Sequence, residues 1–267
     1  METGFAEVNG TQLYYEVVGE GYPVVLIPAG KLDRRMWDDQ FEVFAKHHKV
    51  LRYDMRGYGK SEMSQRPYSD VEDLCSLLKF LNIDKACLIG VSVGGKIAID
   101  FTLAYPEMVY ALIPISADLS GWNWSWSDEI VQKYQKIIET ARDESESKAV
   151  EMWLEFPLFA PAMQNPTIAP RIRKMVQENS HLFLMNPLLR RELKPPAMQR
   201  LSEIRVPTLI ISGERDVSNF IDIADTLEKN IAGAKKIVIF GAGHLVSMEK
   251  PEQFNRIVLD FLSTQLP

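Results

Sequence analysis

The chain opens with two stretches of alternating apolar and polar residues, 5–9 and 12–18, joined at Asn9-Gly10. Asn-Gly supplies two residues that tolerate positive φ, so this pattern predicts an antiparallel hairpin. Beyond it the period changes. Short, nearly continuous apolar runs at residues 24–27, 50–53, 86–89, 111–115, 208–211 and 236–240 read as strands covered on both faces. Residues 34–46, 71–81, 97–105, 220–231 and 251–262 carry apolar positions at helical spacing. Alternation of this kind predicts an α/β fold with a mostly parallel sheet flanked by helices. The rhythm fails between about 119 and 204, where helical patterns and prolines replace it and no strand is predicted.

One strand-to-helix junction carries chemistry. Gly90-Val91-Ser92-Val93-Gly94 places a serine between glycines two residues away on each side, after the apolar run 86–89 and before the helical run 97–105. A sharp turn there exposes the hydroxyl, and side chains at the two glycine positions would crowd the neighbouring elements. A neutral serine is a weak nucleophile and needs a base, itself held by an acid. Asp216 lies just past the run 208–211, and His244 follows Gly241-Ala242-Gly243 after the run 236–240. Serine, then aspartate, then histidine is the chain order such hydrolases use. Asp118, after the run 111–115, is the rival acid, with a turn or capping role the stronger reading. Asp54 and Asp100 read as structural. His47, His48 and His181 have no second ligand at metal spacing, so no metal is expected.

With these motifs the sequence resembles the α/β-hydrolase family along nearly its whole length. Asp54-Met55-Arg56-Gly57-Tyr58-Gly59-Lys60-Ser61 is similar to the loop after that family's fourth strand, and Gly243-His244 with Glu249-Lys250-Pro251 to its histidine loop and last helix. The resemblance implies an eight-stranded sheet, with Ser92 as nucleophile, Asp216 as acid and His244 as base. It also implies an oxyanion hole from the backbone N–H groups of Val93 and Gly30, although Pro28-Ala29-Gly30 departs from the family's usual His-Gly. The irregular segment becomes a helical cap inserted after strand 6, giving a core of residues 1–118 and 205–267 and a cap of residues 119–204. Trp122, Trp124 and Trp126 alternate near the entry to the cap, and Met152, Trp153, Phe156, Leu158 and Phe159 form a second apolar cluster. Trp122 and Trp153 are the candidate substrate contacts. Arg171, Arg173 and Lys174 read as a solvated helix face rather than a site for a substrate carboxylate.

The leading functional expectation is hydrolysis of a carboxylic ester or lactone of a small, largely apolar substrate, without a cofactor. Asp118-Leu119-Ser120-Gly121-Trp122 is weakly similar to 3-oxoadipate enol-lactonases. Carbon–carbon bond hydrolysis and cofactor-free perhydrolysis use the same three residues, and a non-catalytic ligand receptor remains open. Dehalogenases and epoxide hydrolases of this fold place an aspartate where Ser92 stands. Composition narrows the field further. A chain of 267 residues that is 46% hydrophobic can bury a large core, and a net charge of −6 with interspersed signs argues against a nucleic-acid or anionic-membrane surface. The start of the chain has no signal-peptide pattern, and the uncharged stretch 156–170 is broken by four prolines, so a cytoplasmic protein is expected. Cys75 and Cys87 both fall on apolar faces and read as core thiols.

Overall fold

The computed structural model describes residues 1–63 and 66–265. Strands β1 (Glu2–Val8) and β2 (Thr11–Val18) form the antiparallel hairpin, with Val8 opposite Thr11 and Asn9 and Gly10 at φ 47° and 73°. These two angles are what an Asn-Gly turn provides. The hairpin adds to β3 (Pro23–Ile27), β4 (Lys49–Tyr53), β5 (Ala86–Val91), β6 (Val109–Ile115), β7 (Leu209–Gly213) and β8 (Lys235–Ile239) in one sheet of order β1-β2-β4-β3-β5-β6-β7-β8. Pairing is antiparallel at β1–β2 and β2–β4 and parallel from β4 to β8. The eight-stranded, mostly parallel sheet is the architecture the apolar runs and the family resemblance imply.

Alternate strand residues feed two cores. Val25, Ile27 and Leu88 pack with Leu74 and Leu77 of α2 (Asp70–Phe80), Ile97 and Phe101 of α3 (Val93–Ala104), and Ile223 and Leu227 of α8 (Ser218–Asn230). On the other face, Val24, Leu26 and Ile89 meet Phe41 and Phe44 of α1 (Asp38–Phe44) and Phe254 and Val258 of α10 (Pro251–Gln265). Period-2 side-chain alternation explains this partition. Cys75 and Cys87 are free and buried, and burial pushes the Cys87 thiol up to about 12.

Two elements depart from the sequence pattern. Helix α3 is buried nearly all round, beyond the Ile97 and Phe101 stripe, because Lys96 reaches Asp100 at 3.2 Å and also pairs with Glu192. Strand β8 is not covered on both faces. It is the sheet edge, with Lys235 and Val238 exposed, and lysine on an edge strand discourages further strand pairing.

Between β6 and β7 the chain makes α4 (Asp128–Asp143), α5 (Glu146–Leu154), α6 (Ala160–Met163), α7 (Ala169–Glu178) and a series of short 3-10 turns. Ser127 and Ser145 cap α4 and α5 by accepting from the N–H groups of Ile130 and Lys148. Among the described residues no helix is long and apolar enough to cross a membrane.

Candidate active site

Ser92 sits between β5 and α3 with φ 55° and ψ −119°, a left-handed conformation that a residue with a side chain adopts at a cost of order 1–3 kcal/mol. Close packing holds it there. A Cβ on Gly90 would lie 2.2 Å from Gly94 O, and one on Gly94 would lie 2.4 Å from Ile27 O. The Ser92 N–H donates to Ile115 O at 2.9 Å, and its carbonyl accepts from Lys96 N and Asp118 N, both at 3.0 Å. The serine is therefore braced by the helix it starts and by the end of β6.

His244 and Asp216 lie on loops after β8 and β7. The two loops are knitted together: Glu214 N donates to Ile239 O at 3.1 Å and Arg215 N to Ala242 O at 2.8 Å. His244 Nδ1 stands 3.0 and 3.1 Å from the two Asp216 carboxylate oxygens, and both residues are buried. That contact fixes the ring and leaves Nε2 on its far side. The carboxylate of Glu249, the last residue of α9 (Val246–Glu249), accepts from Gly243 N at 2.8 Å and from Leu245 N at 3.0 Å, clamping the histidine loop, and burial raises its pKa. The Phe220 ring packs 4.3 Å from the imidazole.

Ser92 and His244 line one cavity of about 720 Å³ together with Gly30, Val93 and Asp118. Gly30 and Val93 adjoin each other: a Cβ on Gly30 would lie 4.0 Å from Val93 Cβ. Val93 is the first residue of α3, where backbone N–H groups have no partner within the helix. Asp118 accepts from Leu119 N at 2.6 Å, and burial raises its pKa, whereas the carboxylate that meets His244 is Asp216.

Residues between β6 and β7 also line the cavity. Trp153 lines the cavity with Phe156, Leu158 and Phe159, but Trp122 does not. The chain turns at Gly121, φ 84°, and the Trp122 indole N–H reaches Asn219 Oδ1 at 3.4 Å while its ring packs on the core. Trp124 and Trp126 line the cavity instead, stacked at 5.4 Å with an interplanar angle of 6°. Arg171 pairs with Asp39 at 2.7 Å, Arg173 with Glu151, and Lys174 lies 4.0 Å from Glu178, all away from the cavity. His181 contacts Gly57 O at 2.8 Å, and among the described residues no cluster of three or more His, Cys, Asp or Glu side chains could hold a metal.

Two cations that line this cavity escape the sequence reading, Lys31 and Arg190. The signal for Lys31 was its place directly after Gly30. Arg190 follows no motif and is positioned by a backbone bridge to Tyr68.

The chain belongs to the alpha/beta hydrolase family, whose model matches residues 24–257. It is a hydrolase by that membership. It is 30% identical over 223 residues, 80% of this chain and 76% of the relative, to the 2-hydroxy-6-oxononadienedioate/2-hydroxy-6-oxononatrienedioate hydrolase of Burkholderia vietnamiensis. Among solved structures it is similar to the enol-lactonase of Burkholderia xenovorans, with TM-score 0.80, 26% identity and coverage of 97% of this chain and 100% of that one. A thermophilic esterase from Thermogutta terrifontis shares the fold, with TM-score 0.84, 23% identity and 100% coverage of both chains.

Proposed function

We propose that the protein hydrolyses a carboxylic ester or lactone through an acyl-enzyme on Ser92. The observation that carries this reading is the His244–Asp216 contact at 3.0 Å, in a pair whose imidazole opens to the same cavity as the strained Ser92. His244 takes the hydroxyl proton through Nε2 as Ser92 attacks the carbonyl, and Asp216 holds the ring and stabilises the imidazolium. The N–H groups of Gly30 and Val93 receive the oxyanion. His244 then protonates the leaving alkoxide, and a water activated by the same ring releases the acid. Residues 119–204 act as a cap over a core of residues 1–118 and 205–267, and their aromatic wall excludes bulk water and shapes the acyl pocket.

The similarity to an enol-lactonase favours a lactone or ester over other acyl groups. A second reading, carbon–carbon bond hydrolysis, is favoured by the 30% identity to the dienedioate hydrolase. Initial rates on p-nitrophenyl acyl esters of increasing chain length and a panel of small lactones separate the two. Turnover of an ester or lactone that Ser92→Ala lowers by about 10⁴-fold or more supports the ester reading. Absence of turnover on all of them by the folded protein contradicts it and favours the second.

A further inference from the structure

Among the described residues, one cation of the cavity has no acidic counter-ion. Lys31 Nζ lies 5.0 Å from the centroid of the Trp153 ring and 4.8 Å from that of Phe183, and among the described residues no acidic side chain forms an ion pair with it. Its backbone is in the left-handed region, φ 61°, so the loop that carries Gly30 turns sharply to deliver this side chain. Arg190 stands in the same wall. Its Nε lies 2.6 Å from Asp70 Oδ2, in poor alignment for a hydrogen bond, and its Nη2 is buried without a hydrogen-bond partner among the described residues. Tyr58 completes the wall with a phenol that burial keeps protonated.

Arg190 has its charge balanced by Asp70, whereas the Lys31 ammonium in this apolar cavity is an arrangement folding alone disfavours. Burial, with Arg190 adding repulsion, lowers the Lys31 pKa to about 8. A bound anion would relieve both effects, and it would supply the acceptor that Arg190 Nη2 lacks. The ring faces flanking Lys31 give partial compensation only.

We propose that Lys31 and Arg190 form a carboxylate subsite, so that the preferred ester or lactone carries a free acid group held away from the bond that Ser92 attacks. Which bond is cut rests on the ester or lactone reading; the binding of the acid does not. The aromatic side of the cavity, Trp124, Trp126 and Phe220 beside His244, takes the remainder of the substrate. A substrate class of apolar esters is thereby narrowed to esters or lactones of acids with a second carboxyl group.

The test uses the binding of monomethyl glutarate, an anion, and dimethyl glutarate, its neutral counterpart, to Ser92→Ala by calorimetry. At pH 7 the anion should bind about 10- to 100-fold more tightly. That preference should be lost when Lys31→Met is added. It should also weaken as pH rises above about 8, where the unliganded Lys31 loses its proton. The other titratable groups that line the cavity are Arg190, Tyr58, Tyr134, Asp118 and His244, and the Lys31→Met background separates their contribution from that of Lys31. Equal affinity for the two esters, a preference that survives Lys31→Met, or a preference unchanged between pH 7 and 9.5 would each overturn the subsite. If the anion preference holds while the parent hydrolyses no ester or lactone, the ester reading falls and the subsite stands.

Discussion

At the residue scale, two strained positions face the cavity, Ser92 at φ 55° and Lys31 at φ 61°. The second has a stability signature. Folding lowers the Lys31 pKa from 10.5 to about 8, so between those values the unfolded chain binds more protons than the folded one, and stability rises with pH across that window. Below about pH 8 the full penalty is present. Lys31→Met should therefore be more stable than the parent at pH 7, by about 1–2 kcal/mol because part of the side chain opens to the cavity, with the difference disappearing above about pH 10.5. Urea unfolding at the two pH values measures it, and a less stable variant at pH 7 would count against the desolvated ammonium. Gly213 offers a second check, since a Cβ there would lie 2.0 Å from Gly243 O. Gly213→Ala should force apart the strand ends that carry Asp216 and His244, costing about 1–3 kcal/mol in unfolding experiments and lowering kcat more than it raises KM. That Asp216 meets His244 and that Ser92 shares a cavity with His244 was legible because close backbone approach and chain order leave marks in glycine spacing. Trp122 was misplaced because its indole N–H is held at Asn219 and its ring packs on the core, contacts between residues distant in sequence that alternation does not record.

At the element scale, one buried amide ties the helices between β6 and β7 to the rest of the chain. Asn179, just after α7, donates from Nδ2 to Asp33 Oδ2 at 3.1 Å, and its Oδ1 accepts from Gly59 N at 2.8 Å. Asp33 in turn holds Arg35 at 2.6 Å, at the edge of the loop that carries Gly30 and Lys31. Asn179→Ala leaves the Gly59 N–H unpaired and removes one of the two donors to Asp33 Oδ2, so it should cost about 1–3 kcal/mol in urea unfolding and raise KM by loosening the cavity wall. A change in kcat alone, with stability intact, would show that the amide does not hold this wall. Apolar runs gave the strands clearly, and helical spacing gave α1, α2, α8 and α10. The full burial of α3 was hidden because Lys96 and Asp100, polar in sequence, neutralise each other in the fold. The exposure of β8 depends on its place at the sheet edge, which no local pattern records.

At the scale of the whole molecule, parallel pairing from β4 to β8 gathers loops from distant parts of the chain at one end of the sheet. The loop after β3 brings Gly30 and Lys31, the turn after β5 brings Ser92, and the loops after β7 and β8 bring Asp216 and His244. Strand–helix alternation made this gathering readable in advance. The charge of the cavity was not readable, because Lys31 and Arg190 are far apart in sequence and share a wall only in the folded chain. Asp216→Asn should preserve the fold and lower kcat by about 10⁴-fold, since an amide leaves the His244 ring in the wrong tautomer; a loss below tenfold in steady-state rates would remove Asp216 from the mechanism. The proposed reaction depends on the covalent step at Ser92, which intact-protein mass spectrometry on protein quenched within its first turnovers of p-nitrophenyl butyrate detects. One butyryl group per chain, mapped to the Ser92 peptide, decaying with time and missing from Ser92→Ala, is the result expected. Turnover without an adduct, or an adduct and turnover that persist in Ser92→Ala, would contradict an acyl-enzyme on Ser92.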